Sequence, residues 1–146
     1  MFTKKDHRDD TRLALLRGVD LFRACSEAEL RRLGAAWDLV TYPAGRVLVT
    51  EGERGSEAFV LASGAAAVTI GDQHIADIGP GAVVGEMALL DNGTRAATVT
   101  LTTESELLVI AVREFRSLLD EMPNLTRQIL TTLTRRLREV EGALTA

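Results

Sequence analysis

The chain has little of the chemistry on which many enzymes and secreted proteins depend. Its 146 residues include one cysteine, Cys25, and two histidines. A single thiol forms no internal disulfide and offers no second thiolate to a metal ion. His7 and His74 are too far apart for a His-x-His or His-x-x-x-His motif, which disfavours a metal-dependent β-barrel enzyme. Ser56 lacks a Gly-x-Ser-x-Gly elbow, so a hydrolytic triad is also disfavoured, and we predict no catalytic residue set.

Long apolar runs are also missing. No segment approaches the ~18 apolar residues that span a bilayer, and the charged N-terminus is not followed by the apolar stretch of a signal peptide. With 46% apolar and 26% charged residues, the composition predicts one compact cytoplasmic domain with no membrane partner. A net charge of −4 opposes non-specific attachment to nucleic acid.

Both ends of the sequence have helical patterns. Apolar residues between Leu13 and Phe22 recur at helical spacing, and Ser26 with Glu29 forms the capping box of a second short helix. Pro123 suits the first turn of the last helix. The predicted organisation is a flexible segment at 1–10 and a domain at 11–146, with helices at 11–36 and 113–144.

The middle of the sequence, residues 37–112, has the pattern of short β-strands. Glycine-rich turn signals recur about every 8 to 11 residues and separate segments rich in Val, Ile, Leu, Phe and Thr. We therefore predict a mainly β fold, a double-stranded β-helix (jelly-roll) barrel flanked by N-terminal and C-terminal helices. The segment Glu86–Leu90 lacks β-branched residues and predicts one helical turn within the strands.

The last predicted helix carries an apolar seam whose members alternate steps of three and four residues: Leu130, Leu133, Leu137, Val140 and Leu144. Such a seam packs either against the barrel of its own chain or against the same helix of a second copy, forming a homodimer. Both interpretations stay open. The basic run Arg135–Arg138 is typical of a solvated helix face balanced by nearby glutamates.

One acid and one base surround the predicted helical turn. A short helix that opens at Gly85 presents backbone N–H groups to an anion, and Arg95 can bring its planar guanidinium to the same place. An ionised Glu86 would repel phosphate but accept hydrogen bonds from a sugar hydroxyl. The pair predicts a ligand with a phosphate and a hydroxyl on one small ring system. Judged from these residues alone, a surface ion pair is the simpler interpretation.

The segment Val84–Val99 resembles the phosphate-binding cassette of the cyclic nucleotide-binding domain family, of the type found in the catabolite activator protein and in regulatory subunits of cAMP-dependent kinase. The matching pattern is glycine, glutamate, apolar residue, alanine, leucine and a later arginine: Gly85, Glu86, Met87, Ala88, Leu89 and Arg95. The resemblance extends over residues 21–144. The sequence departs from the family pattern at Val84, Met87 and Thr94.

The resemblance implies a role for each residue of the site. Glu86 would bind the ribose 2′-hydroxyl and Arg95 the cyclic phosphate, with backbone N–H groups of the turn completing the pocket and the last helix covering the base. Ala96 lacks the hydroxyl that accompanies cGMP preference, which favours cAMP. The implied ligand-binding residues are Gly85, Glu86, Met87, Ala88, Arg95, Ala96, Ala97, Arg136 and Val140.

The function implied is that of a stand-alone regulatory sensor, with cAMP as ligand, no further cofactor, and an unidentified effector protein as partner. Ligand binding would reposition the C-terminal helix. Transcription factors of the family carry a DNA-binding module beyond this helix, and since the sequence ends at Ala146 we expect none here. The alternatives are a β-roll interaction module that has lost nucleotide binding and, third, a small β-roll enzyme acting on a sugar or nucleotide.

Overall fold

The structure is a computed structural model that describes the backbone of residues 4–91 and 93–145 and the side chains of residues 10–91 and 93–143. It divides into two compact units. A helical unit contains the described residues up to Gly34 together with those from Leu118 onward, and a β unit contains Ala35–Ser117.

The regular elements follow one another as helices, then strands, then helices. The helices are α1 (Lys4–Arg17), α2 (Glu27–Gly34), α3 (Val112–Glu121) and α4 (Pro123–Thr145), with 3₁₀ turns at Asp20–Phe22 and Glu86–Leu89. The strands are β1 (Asp38–Tyr42), β2 (Val47–Val49), β3 (Glu57–Ser63), β4 (Ala66–Ile70), β5 (Gln73–Ile78), β6 (Val83–Val84), β7 (Thr98–Leu101) and β8 (Ser105–Ala111).

The strands of the β unit form two four-stranded antiparallel sheets, with strand orders β1-β8-β3-β6 and β2-β7-β4-β5. Neighbours in each sheet are distant in sequence, as in a jelly roll. The two sheets bury one apolar cluster: Val49, Phe59, Leu61, Ala66, Val84, Val99, Leu101, Leu107 and Val109. The prediction of a mainly β roll with flanking helices is confirmed; the described strands pair as two sheets.

The pairing of β6 with β3 in the first sheet positions the predicted site. The short strand β6 pairs with β3, where Val84 lies opposite Phe59 and Val83 opposite Val60. Because β6 ends at Val84, the residue after it, Gly85, comes to lie close to the beginning of β3. This pairing brings the helical turn of the cassette beside the loop that precedes β3.

Polar contacts in the helical unit connect both ends of the chain. The capping box is present: the Ser26 N–H donates to Glu29 Oε1 at 2.9 Å, and the Glu29 N–H donates to Ser26 Oγ at 3.2 Å. The bond from the Ser26 N–H to the carboxylate is the main cause that lowers the pKa of Glu29. The same carboxylate accepts a hydrogen bond from Gln128 Nε2 at 3.1 Å, so α2 and α4 share one polar group.

The helical boundaries differ from the predicted ones at the N-terminus. Helix α1 begins at Lys4, upstream of the predicted helix start at residue 11, and residues 1–3 lie outside the described residues. No glycine or proline interrupts Lys4–Arg17, which lets the helix extend upstream of its apolar positions. It ends before Gly18, and a 3₁₀ turn at Asp20–Phe22 replaces the continuous helix expected there.

The organisation of residues 11–146 as one domain stays a prediction. Within the described part of the chain, no helix has both the length and the apolar character needed to cross a membrane.

Candidate functional site

The cassette turn is built around a glycine in the left-handed backbone region. Gly85 has φ +80° and leads from β6 into the 3₁₀ turn Glu86–Leu89. Few residues other than glycine adopt this conformation at low cost. Ala88 and Leu89 are buried, which fixes the turn to the β unit, while Met87 is 51% exposed. The predicted helical turn is therefore confirmed, with 3₁₀ geometry.

Backbone hydrogen bonds hold Arg95 against the loop that precedes β3. The Arg95 N–H donates to the carbonyl of Glu53 at 2.8 Å, and the Gly52 N–H donates to the carbonyl of Arg95 at 2.9 Å. Thr94 forms an isolated antiparallel bridge with Arg54. These hydrogen bonds therefore fix the position of the Arg95 backbone, from which its side chain extends.

The Arg95 guanidinium is half-buried and incompletely satisfied. Nη2 donates to the carbonyl of Glu57, and Nε is buried without an acceptor among the described residues. Burial lowers the pKa of Arg95, an effect that the negative charge of Glu57 opposes, and the group stays a cation at physiological pH. Within residues 10–91 and 93–143, no carboxylate forms an ion pair with it. A partly desolvated cation in this state is stabilised by an anionic ligand.

Two glycines make room for this guanidinium. A Cβ placed on Gly55 or on Gly85 would overlap atoms of the Arg95 guanidinium. Gly85 is one of the predicted site residues, whereas Gly55 belongs to one of the glycine-rich turn signals of residues 37–112. Its contact with Arg95 joins two loops that are distant in sequence, so the local pattern around Gly55 holds no signal for it.

Arg95 lines an open cavity of about 220 Å³ in the β unit. Apolar side chains from β2 and β3 form one part of its wall, and the loop before β3 supplies glutamate, arginine and serine residues. The lining residues are Val47, Leu48, Val49, Thr50, Glu53, Arg54, Gly55, Ser56, Glu57, Phe59 and Arg95. Polar and charged residues outnumber apolar ones in this wall, which is therefore more polar than that of most small-molecule sites.

The other predicted cassette residues lie at the same place in the β unit. Glu86 is half-buried and directly follows Gly85, against which the Arg95 guanidinium lies. Ala96 is exposed and Ala97 half-buried in the bend that leads into β7. The structure therefore brings Arg95 against Gly85, with Glu86 and the two alanines as close chain neighbours, whereas Glu86, Ala96 and Ala97 are not among the residues that line the cavity.

Arg136 and Val140, the two residues predicted to contact the base, lie on α4 in the helical unit. The Arg136 guanidinium donates from Nε to Asp20 Oδ2 at 2.7 Å, and a second bond from Nη2 reaches the same oxygen. The hydrogen bond from Arg136 lowers the pKa of Asp20. Val140 is 58% exposed. Their role at a ligand stays a prediction.

Other titratable clusters give no second site. Among the side chains that the structure describes, no three His, Cys, Asp or Glu residues are grouped so as to hold a metal ion. His74 contacts Asp77 at 2.9 Å on the exposed surface of β5. Cys25 is half-buried, and burial followed by the charge of Glu29 raises the pKa of its thiol to about 11, so it is a poor nucleophile.

Comparison with known proteins agrees with this geometry. The sequence model of the cyclic nucleotide-binding domain matches residues 39–122. The Pycsar effector protein XpPycTIR of Xanthomonas perforans is 34% identical over 79% of this chain and 38% of its own length. The cyclic AMP receptor protein of Thermus thermophilus is 29% identical over 86% of this chain and 61% of its own length.

A solved structure shows the same fold over nearly the whole chain. The N-terminal domain of a transcriptional regulator from Streptomyces coelicolor A3(2) has a TM-score of 0.80 and 30% identity, and the match covers 88% of this chain and 93% of that one. The chain spans less than two thirds of the two curated relatives named above, 38% and 61%. The family match covers more than half of the chain and includes the whole cassette, so the chain belongs to the cyclic nucleotide-binding domain family.

Proposed function

We propose that the chain binds a cyclic nucleotide, with cAMP as the favoured ligand, and acts as a regulatory module without catalysis. The observation that carries this proposal is the state of Arg95. Its guanidinium is held against two glycines at a cavity, and its Nε has no acceptor among the described residues. A phosphate oxygen would supply both the missing acceptor and the missing negative charge.

The acid of the cassette adds selectivity for the sugar. Glu86 lies one residue from Gly85 and is half-buried, which suits a carboxylate that accepts hydrogen bonds from a ribose hydroxyl beside the bound phosphate. A site for an isolated inorganic anion would gain nothing from a carboxylate at this position. The combination therefore favours a ligand in which phosphate and ribose are held close together, as in a 3′,5′-cyclic nucleotide.

Two observations support cAMP over cGMP. The residue after Arg95 is Ala96, which has no hydroxyl to offer to a guanine base. One of the relatives is a cyclic AMP receptor protein. On the same proposal, Arg136 and Val140 act at the base, and binding changes the position of α4 and so the surface offered to an effector protein. Such coupling requires that the ligand bind one position of the helix more tightly than the other.

Isothermal titration calorimetry with cAMP, cGMP and 5′-AMP tests the proposal. We expect cAMP to bind most tightly, and Arg95→Ala to weaken its binding by about 2 to 3 kcal/mol, or roughly 30- to 150-fold, through loss of charge-assisted phosphate bonds. Arg95→Lys is the matched control, because it keeps the charge and loses the planar donor pair. Its affinity for cAMP should lie between those of the wild type and of Arg95→Ala.

Circular dichroism should show that both Arg95 variants keep the fold. A wild-type chain that binds none of the three nucleotides would contradict the proposal and favour the interaction module without nucleotide binding. An unchanged dissociation constant in Arg95→Ala would reject the role of the guanidinium.

A further inference from the structure

Glu57 is the feature of this cavity that the cassette does not account for. It is the first residue of β3 and is half-buried at the cavity that Arg95 also lines. Its backbone carbonyl accepts the hydrogen bond from Arg95 Nη2. Its carboxylate forms no ion pair with Arg95 in the described side chains, yet its charge acts on the guanidinium. The negative charge is therefore close to the anion site without occupying it.

A carboxylate in this position changes the electrostatics of the whole site. Arg95 and the exposed Arg54 contribute positive charge to the cavity wall, while the half-buried Glu57 and the exposed Glu53 contribute negative charge. A carboxylate repels a bound anion with an energy proportional to the charge of that anion. Because Glu57 is half-buried, solvent screens this repulsion less than it would on an open surface.

The repulsion separates two classes of nucleotide. A cyclic phosphodiester carries one negative charge, whereas a phosphate monoester has a second pKa of about 6 and is mostly a dianion at neutral pH. Arg95 alone would attract the dianion more strongly than the monoanion. A neighbouring carboxylate offsets that advantage.

We propose that Glu57 is a charge filter, which lets the Arg95 site accept a singly charged cyclic phosphate and reject a dianionic phosphate monoester. The inference rests on the proposed function and adds a basis for discriminating a cyclic nucleotide from its linear 5′-monophosphate. Glu57 acts through charge and touches neither the sugar nor the base.

The test is Glu57→Gln, which keeps the size of the side chain and removes its charge. Affinities for cAMP and 5′-AMP are measured at neutral pH by displacement of a fluorescent cAMP analogue. Since the repulsion scales with ligand charge, the gain for the dianion should be about the square of the gain for cAMP; a threefold gain for cAMP implies about tenfold for 5′-AMP. Added salt should reduce both gains.

Glu104→Gln is the matched control, because Glu104 is exposed, lies outside the cavity lining and changes the net charge by the same amount. It should leave both affinities unchanged. Two results for Glu57→Gln would overturn the charge filter: equal gains in affinity for cAMP and 5′-AMP, or no gain in affinity for 5′-AMP up to its solubility limit. In either case, cAMP binding by the wild type would still uphold the proposed function. If the wild type binds no cyclic nucleotide, both proposals fail together.

Discussion

At the scale of single residues, Gly55 and Gly85 determine where the Arg95 guanidinium can lie. Position 85 also requires glycine because its backbone is in the left-handed region. A substitution there would combine backbone strain with steric overlap against Arg95. Gly55 has no such backbone requirement, and its substitution isolates the contact with Arg95.

We expect Gly55→Ala to weaken cAMP binding by at least about tenfold, or ~1.4 kcal/mol, because the added methyl displaces the guanidinium from its position. Calorimetry measures the effect. Gly79→Ala is the control, since a Cβ there meets nothing within 4 Å and its backbone is ordinary. Equal affinities in the two variants would show that the position of the guanidinium does not depend on Gly55.

Local spacing made some site residues predictable and left others hidden. Gly85, Glu86 and Arg95 could be predicted as site residues because their proposed roles depend on one short segment with a recognisable order of residue types. Gly55 and Glu57 could not, because their contacts with Arg95 exist only in the folded β unit. A turn glycine and a glycine that accommodates a distant side chain have the same sequence signal.

At the scale of elements, α4 contains two buried polar atoms that no described residue satisfies, Gln128 Oε1 and the Thr132 hydroxyl. Thr132 is 1% exposed, and its hydroxyl has no hydrogen-bond partner among the described residues. Its neighbour Thr131 is exposed and donates to the Arg127 carbonyl at 3.0 Å. The two threonines form a matched pair on one helix.

We expect Thr132→Val to raise the free energy of unfolding by about 1 kcal/mol, since valine has nearly the same shape and removes a desolvated hydroxyl. Thr131→Val should change it by less than about 0.5 kcal/mol, as is usual for exposed positions. Urea denaturation of the two variants and the wild type provides the comparison. A destabilised Thr132→Val would show that the hydroxyl has a partner after all.

The observed helix boundaries agree with the predicted ones where the sequence has a helix-capping or helix-starting residue. The capping box at Ser26 and the helix start at Pro123 are both observed, because each depends on side chains within the same turn. The start of α1 at Lys4 was missed, since polar helix formers there carry no apolar period. The break after Arg17 depends on Gly18, a single residue within an otherwise helical pattern.

At the scale of the whole molecule, the sequence predicted the β-roll and its flanking helices, because both follow from repeated turn signals and apolar spacing. The grouping of the first helices with α4 in one compact unit has no local sequence signal, because it depends on contacts between residues that are distant in sequence. The apolar seam of α4 likewise did not predict whether the chain is a monomer or a homodimer.

Three members of that seam are exposed in the structure: Leu130 by 59%, Leu137 by 65% and Val140 by 58%. This exposure favours packing of the seam against the same helix of a second copy over packing against the chain's own barrel. We therefore expect the chain to form a homodimer through α4. Sedimentation equilibrium should show a dimer for the wild type and a dimer weakened at least tenfold, by ~1.4 kcal/mol, in Leu137→Arg. Glu139→Arg adds an arginine outside the seam and should stay dimeric. A monomeric wild type would refute the dimer.

The two ends of the chain belong to the same helical unit, in which Gln128 bonds to Glu29 and Arg136 to Asp20. A premature stop codon in α4 before Gln128 would therefore harm α2 and the turn at Asp20, which would lose partners encoded 99 and 116 residues further along the chain. During translation these segments must wait until α4 has emerged before their unit can be completed.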